Sequence, residues 1–184
     1  METSKPPETG HLARRPDSSE HDPYFALYVA AAPDGDIVET LEREGRELVE
    51  ALAALPPDAA LAAYAPDKWT VADTVLHLAD AERVFAYRAL RIGRGDPTPL
   101  PGFDQEPWAA TGHASSRSFA VLLDELAAVR AASLHLFRAF EPEDWSRRGE
   151  ASGAPISVRA LAWIVAGHEQ HHRRILRERY GLAV

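Results

Sequence analysis

Apolar residues recur three and four positions apart over four long stretches of the chain, and no polar–apolar alternation runs long enough to predict a strand. The first stretch, IVETLEREGRELVEALAAL, predicts a helix from about Asp36 to Leu55, stopped by Pro56-Pro57. A second opens at WTVAD, where Thr70 stands as N-cap with Asp73 three positions on in capping-box spacing. It continues through TVLHLADAERVFAYRALRIGRG until Gly93, Gly95 and Pro97 end it. After a long loop, DPTPLPGFDQEPWAATGHAS, a third helix spans Ser116 to about Phe140. The fourth runs from near Ser157 to Tyr180, with Gly181 placed for a C-terminal cap. Four such helices predict an all-α four-helix bundle over residues 23–184, whose interior is where facing helices assemble metal sites. Residues 1–22 are polar and rich in Pro, Ser, Glu and His; they bury too little apolar surface to offset their ordering entropy, so a flexible tail is expected.

Composition narrows the chemistry. Acidic residues outnumber basic ones by 28 to 20 and no basic block is present, so nucleic acid is not an expected partner. Neither a signal core nor a membrane-length apolar run occurs, and the chain reads as a cytoplasmic protein without a membrane partner. There is no cysteine, which leaves imidazole and carboxylate as the only metal ligands and removes any thiol nucleophile of the protein's own.

The candidate ligands lie in GHEQHHRRILRERYGLAV. One helical turn separates His168 from His172, about 40° apart around the axis, on the stripe that also carries Leu161, Ile164, Val165 and Ile175. Two neutral imidazoles at this spacing on a core-facing stripe can converge on one cation. Glu169 and His171 fall on opposite flanks of the stripe; His171 reads as a flank residue or a partner to a ligand. The sequence His168-Glu169-Gln170-His171-His172 also satisfies HExxH, the metalloprotease pattern. That reading fails for want of a third ligand: Ile175 and Glu178 stand where the extended motif needs Gly and His, and the twelve residues after His172 continue the same helix. The third ligand must come from upstream, and His77 in TVLHLADAERV is the best candidate.

The second helix and the loop after it, KWTVADTVLHLADAERVFAYRALRIGRGDPTPLPGFDQEPW, together with HEQHHRRILRERYG, resemble the signature segments of the DinB-like superfamily, in the subgroup marked by the GFDQ loop. The resemblance spans most of residues 35–182. It implies an up-down-down-up bundle, often dimeric, with a divalent ion such as zinc or nickel on His77, His168 and His172. It also implies that the HExxH match is a coincidence. Some members join a low-molecular-weight thiol such as bacillithiol, mycothiol or glutathione to an electrophile, and others isomerise a thiol conjugate. On that basis the chain is expected to be a metal-dependent thiol transferase with a small-molecule substrate. The alternatives are a hydrolase using a metal-bound water and a non-catalytic metal- or ligand-binding stress protein.

Three further residues are candidates for that chemistry. Arg88 and Arg91 share the face of His77 and could bind carboxylates of the thiol, unless they form internal salt bridges to Asp104, Glu106 or Asp80. Glu169 could act as general base or merely orient a ligand. The 95–115 loop, with Phe103 and Trp108, is suited to roofing a pocket or to plugging the bundle end.

Overall fold

The computed structural model describes residues 9–56 and 58–184. A short helix α1 (Ala26–Ala31) precedes the first long one, α2 (Ile37–Ala53); α3 (Val71–Gly93) follows, then the short α4 (Gln105–Thr111) and α5 (Phe119–Arg138). The one-turn α6 (Pro142–Trp145) leads into a hairpin of β1 (Arg148–Ala151) and β2 (Ala154–Ser157), and α7 (Val158–Tyr180) closes the fold. The helix ends lie within a few residues of those the sequence predicts, because their capping chemistry is local. Asp36 accepts the Val38 and Glu39 N–H groups at the start of α2. Thr70 and Asp73 exchange hydrogen bonds of 3.1 and 2.9 Å at the start of α3. Gly181, at φ 70°, supplies the left-handed turn that ends α7.

Helix directions follow from which residues meet. Tyr180 donates to the Trp69 carbonyl while His77 meets His168, so α3 and α7 are antiparallel. Glu42 pairs with Arg138 at one end of the α2–α5 contact and Leu52 clusters with Leu122 and Leu126 at the other, so these two are antiparallel as well. Between α3 and α5, Arg83 reaches Glu125, Glu82 meets Arg130, and Gly93 abuts Phe140: the pair is parallel. The bundle is up-down-down-up. A parallel α3–α5 pair obliges the connection between them to climb back along a helix of roughly 35 Å. Residues 94–118 make that climb. On the way Leu100 pairs with the hairpin, its N–H on the Glu150 carbonyl and its carbonyl on the Ser152 N–H, each at 2.9 Å.

Two features depart from expectation. The hairpin is a pair of strands where the alternation predicts none; four-residue strands are too short to register, and the local signal is the Ser152-Gly153 turn, with both φ angles positive at 55° and 78°. The expected tail over 1–22 is also corrected in part. Residues 1–8 lie outside the described residues, but the segment beyond them packs on the bundle: Glu20 is buried, accepts from Ser157 Oγ at 2.7 Å and pairs with Arg159 at 3.2 Å. Leu12 packs against the apolar core within this segment, and Phe25 just after it, and that burial works against the ordering cost that a polar composition leaves unmet.

The apolar core falls into two clusters. One contains Leu41, Phe85, Phe137, Trp163 and Ile164, and the other Leu48, Val75, Leu122, Leu126 and Leu176. On α3, α5 and α7 the clusters change over at residues 79–81, 129–134 and 166–176. The buried polar residues His77, Glu82, Arg130, His168, Glu169 and His172 lie at or beside that changeover, as a polar layer across the bundle.

Candidate metal centre

His77, seven residues into α3, and His168 and His172, one turn apart on α7, meet across the antiparallel pair. The Nε2 atoms of His77 and His168 are 3.0 Å apart, and those of His172 and His168 are 3.2 Å apart. One nitrogen from each of the three lies within 4.8 Å of the other two. A tetrahedral ion with ligands at 2.0–2.1 Å holds neighbouring nitrogens about 3.3 Å apart, so the spacing suits three corners of such a shell. The donor chemistry agrees. Burial, reinforced by the neighbouring imidazoles, pushes His77 down to about 4, His172 to about 3 and His168 well below its ordinary value. At neutral pH all three rings are uncharged and keep a lone pair for a cation. The arrangement can hold a metal ion.

Access comes from two sides. A first cavity of about 310 Å³ is lined by Phe25, Tyr28, Phe85, Arg88, Phe103 and Ser152, and a second of about 310 Å³ by Tyr64, Lys68, Trp69, Thr74, His171 and Tyr180. His77, His168, Tyr28 and Gln105 belong to both linings. The climbing connection supplies Phe103 and Gln105, so the 95–115 segment does border the site. Trp108 packs near Phe103, with ring centroids 4.8 Å apart, and lines an outer groove that shares Arg88 and Phe103 with the first cavity; Trp108 itself borders neither cavity.

The other candidates separate. Glu169 turns away from the imidazoles: its Oε2 accepts from Arg130 at 2.8 Å, and it borders neither flanking cavity. Arg130 also holds Glu82 through two nitrogens and donates to the Leu41 carbonyl at 2.7 Å, so Glu169 belongs to a buried charge network linking α2, α3, α5 and α7. Its pKa is raised by burial, against the pull of Arg130. A role as general base at the triad is therefore not supported, since a position one residue past His168 is rotated to the far flank of the stripe. Arg91 also faces elsewhere, paired with Asp96 and the Tyr87 hydroxyl. Arg88 is buried in the first cavity and makes none of the expected salt bridges: Asp80 pairs with Arg83, and Asp104 caps α4 through the Glu106 N–H. His171 lies outside the triad, edge-on to Tyr28 at 5.4 Å between centroids.

Sequence reasoning missed Tyr28, whose ring stands edge-on to His168 at 5.4 Å. It sits on a helix of six residues, too short for a periodic signal. What betrays it is Gly167, a glycine inside a long helix beside a ligand: a Cβ there would overlap the Tyr28 carbonyl oxygen, so only glycine lets α1 lie this close to α7.

A family model described as the DinB superfamily matches residues 40–176. The chain belongs to this superfamily. Comparison with curated proteins finds no match by sequence. Among solved structures, YfiT from Bacillus subtilis, described as a probable metal-dependent hydrolase with an unusual four-helix bundle topology, superposes with a TM-score of 0.71 at 17% identity. That match covers 92% of this chain and 95% of the other. A mycothiol-dependent maleylpyruvate isomerase is similar with a TM-score of 0.65 at 13% identity, over 80% of this chain and 60% of that one. Identities this low establish the shared fold. Among the described residues no helix is long and apolar enough to cross a membrane.

Proposed function

We propose that His77, His168 and His172 bind one divalent ion, zinc or nickel, and that the protein is a metal-dependent transferase joining a low-molecular-weight thiol to an electrophile. The observation that carries this reading is the convergence of three uncharged imidazoles between two separate cavities. A conjugating enzyme must seat two molecules within reach of one another, and two cavities that meet at the same imidazoles give room for both. The absence of cysteine fits a reaction whose sulfur arrives with the cosubstrate. A bound divalent ion supplies one thing, a lowered thiol pKa, because the thiolate is the nucleophile. The protein's own groups do the rest. The imidazoles stay deprotonated at neutral pH, the Tyr28 ring covers one side of His168, and Phe25, Phe85 and Phe103 give the first cavity an apolar wall for the electrophile.

Hydrolysis is the second reading, favoured by the description of YfiT. It uses the same triad with water in place of thiol. A sealed, non-catalytic metal site accords poorly with two cavities reaching the same imidazoles.

Metal content of the purified, untagged protein tests the first half of the proposal, in wild type and His172→Ala. About one equivalent per chain in the wild type, lost in the variant, is the expected result. No metal after reconstitution with zinc and with nickel overturns it. The metal-loaded protein, assayed with a general electrophile in the presence and absence of a thiol and separately with an activated ester, then distinguishes transfer from hydrolysis.

A further inference from the structure

Three arginines are buried among the described residues, and they are not alike. Arg130 meets Glu82 and Glu169, and Arg159 meets Glu20. Arg88, at 2% exposure the most buried of the three, meets no carboxylate among the described residues. Its Nη2 donates to the Pro101 carbonyl at 2.7 Å and to Ser152 Oγ at 2.9 Å. Both acceptors are neutral, and Nε and Nη1 are left without a protein acceptor among the described residues. A guanidinium keeps its charge at any physiological pH, and a buried charge without a counter-ion is costly. The missing anion is conspicuous because the same fold supplies one to each of the other two.

The surroundings hold Arg88 in that state. Ser152 sits at φ 55°, a conformation a serine adopts only at a cost, and the Leu100 carbonyl clamps its N–H at 2.9 Å. Both neutral acceptors are thus fixed, one on the hairpin and one on the climbing connection. Arg88 lines the first cavity with His77 and His168. Along α3 it lies eleven residues past His77, three turns on, about 20° off the same line and roughly 16 Å along the axis. Phe25, Tyr28, Phe85 and Phe103 fill the wall between. Asp22 is the one carboxylate in that lining; it is half-buried, and its Oδ1 caps the Tyr24 N–H at 2.7 Å.

We propose that the first cavity takes an organic anion, a carboxylate on an apolar stem, with its charged head on Arg88 and its other end facing the histidines. A monoanion balances the single uncompensated charge, whereas a dianion such as a phosphate monoester leaves a surplus charge against the aromatic wall. The inference rests on the triad being the reacting end of the cavity. In that case Arg88 sets which electrophiles are accepted: acids with an apolar spacer, in preference to their neutral amides.

The test is a binding series with phenylalkanoates from phenylacetate to phenylhexanoate, each against its amide, measured by calorimetry on chelator-treated and on zinc-loaded protein. Within the series, at least one carboxylate is expected to bind ten-fold or more tighter than its amide with the metal removed. Arg88→Gln is expected to abolish that preference, and Arg88→Lys, which keeps the charge in a different shape, to retain part of it; circular dichroism checks that both variants fold. Carboxylates that bind no better than amides, or a preference that survives Arg88→Gln, overturn the proposal. A preference that appears only with zinc and ignores Arg88 places the carboxylate on the ion: it supports the metal centre and refutes the anchor. Arg88-dependent binding with no metal uptake under any condition supports the anchor and refutes the metal centre.

Discussion

Acid should weaken the metal-free protein well before its carboxylates titrate. An unfolded histidine takes up a proton near pH 6.5, whereas the folded chain holds His77 down to about 4 and His172 to about 3. Between those limits the unfolded state binds protons that the native state refuses, so stability falls as pH falls, by about 1.4 kcal/mol per pH unit per histidine. From pH 7 to pH 5 each of the two loses about 2 kcal/mol, about 4 kcal/mol together. His168 and His171, also depressed, act in the same direction. Glu20, Glu125 and Asp96, whose pKa values are lowered by their partners, lose stability only at still lower pH, while Asp80 and Glu169, raised by burial, act in the opposite sense, so the comparison with the histidine variants below isolates the imidazoles. Urea unfolding of chelator-treated protein at pH 7, 6 and 5 measures the effect. The loss is a large share of the 5–15 kcal/mol typical of a domain. A midpoint that stays flat across this range refutes the reasoning, as does an equal loss in His77→Asn/His172→Asn, where those two groups cannot titrate.

Three further outcomes follow from the packing. Glu169→Gln should keep about one metal equivalent per chain, because the carboxylate faces Arg130; it should lower stability by about 1.5–3 kcal/mol through the weakened charged hydrogen bond, which urea unfolding and metal content read separately. Arg130→Met leaves Glu82 buried without a cation and Glu169 with only Arg173 at 3.9 Å, and a loss of about 3–5 kcal/mol is expected; Arg130→Met combined with Glu82→Gln and Glu169→Gln should recover part of it. Gly167→Ala drives a methyl group into the Tyr28 carbonyl and forces α1 off α7. Its metal content should persist while limited proteolysis within Ala26–Ala31 reports a more open site, and an unchanged cleavage rate would show that α1 was never tightly seated.

Much of this was legible in the chain because local rules decide it. The capped ends at Asp36, Thr70 and Gly181 need only their near neighbours, and the i, i+4 pair at His168 and His172 places itself on a stripe that any bundle must bury. His77 could be named as the third ligand because it too lies on a core-facing stripe. What escaped depends on distant partners. Glu169 and Arg88 both sit beside the triad in sequence-derived projections, yet one finds Arg130 across the bundle and the other finds none of its expected acids. The choice between them is made by α5, the hairpin and the climbing connection, whose positions no helical wheel contains. The packed segment around Glu20 escaped for the same reason: composition argues for freedom, and its partners Ser157 and Arg159 lie 137 and 139 residues away.

That separation has a kinetic side. The first cavity takes Asp22, Tyr24 and Phe25 from near the start of the chain and His168 from near its end. During synthesis, then, the pocket cannot be completed until almost the whole domain has emerged. Contacts this distant raise the loop-closure cost and slow the final assembly step. A ribosome-bound chain halted before α7 should leave residues 9–28 open to proteolysis, and release of α7 should protect them in the same step that completes the triad.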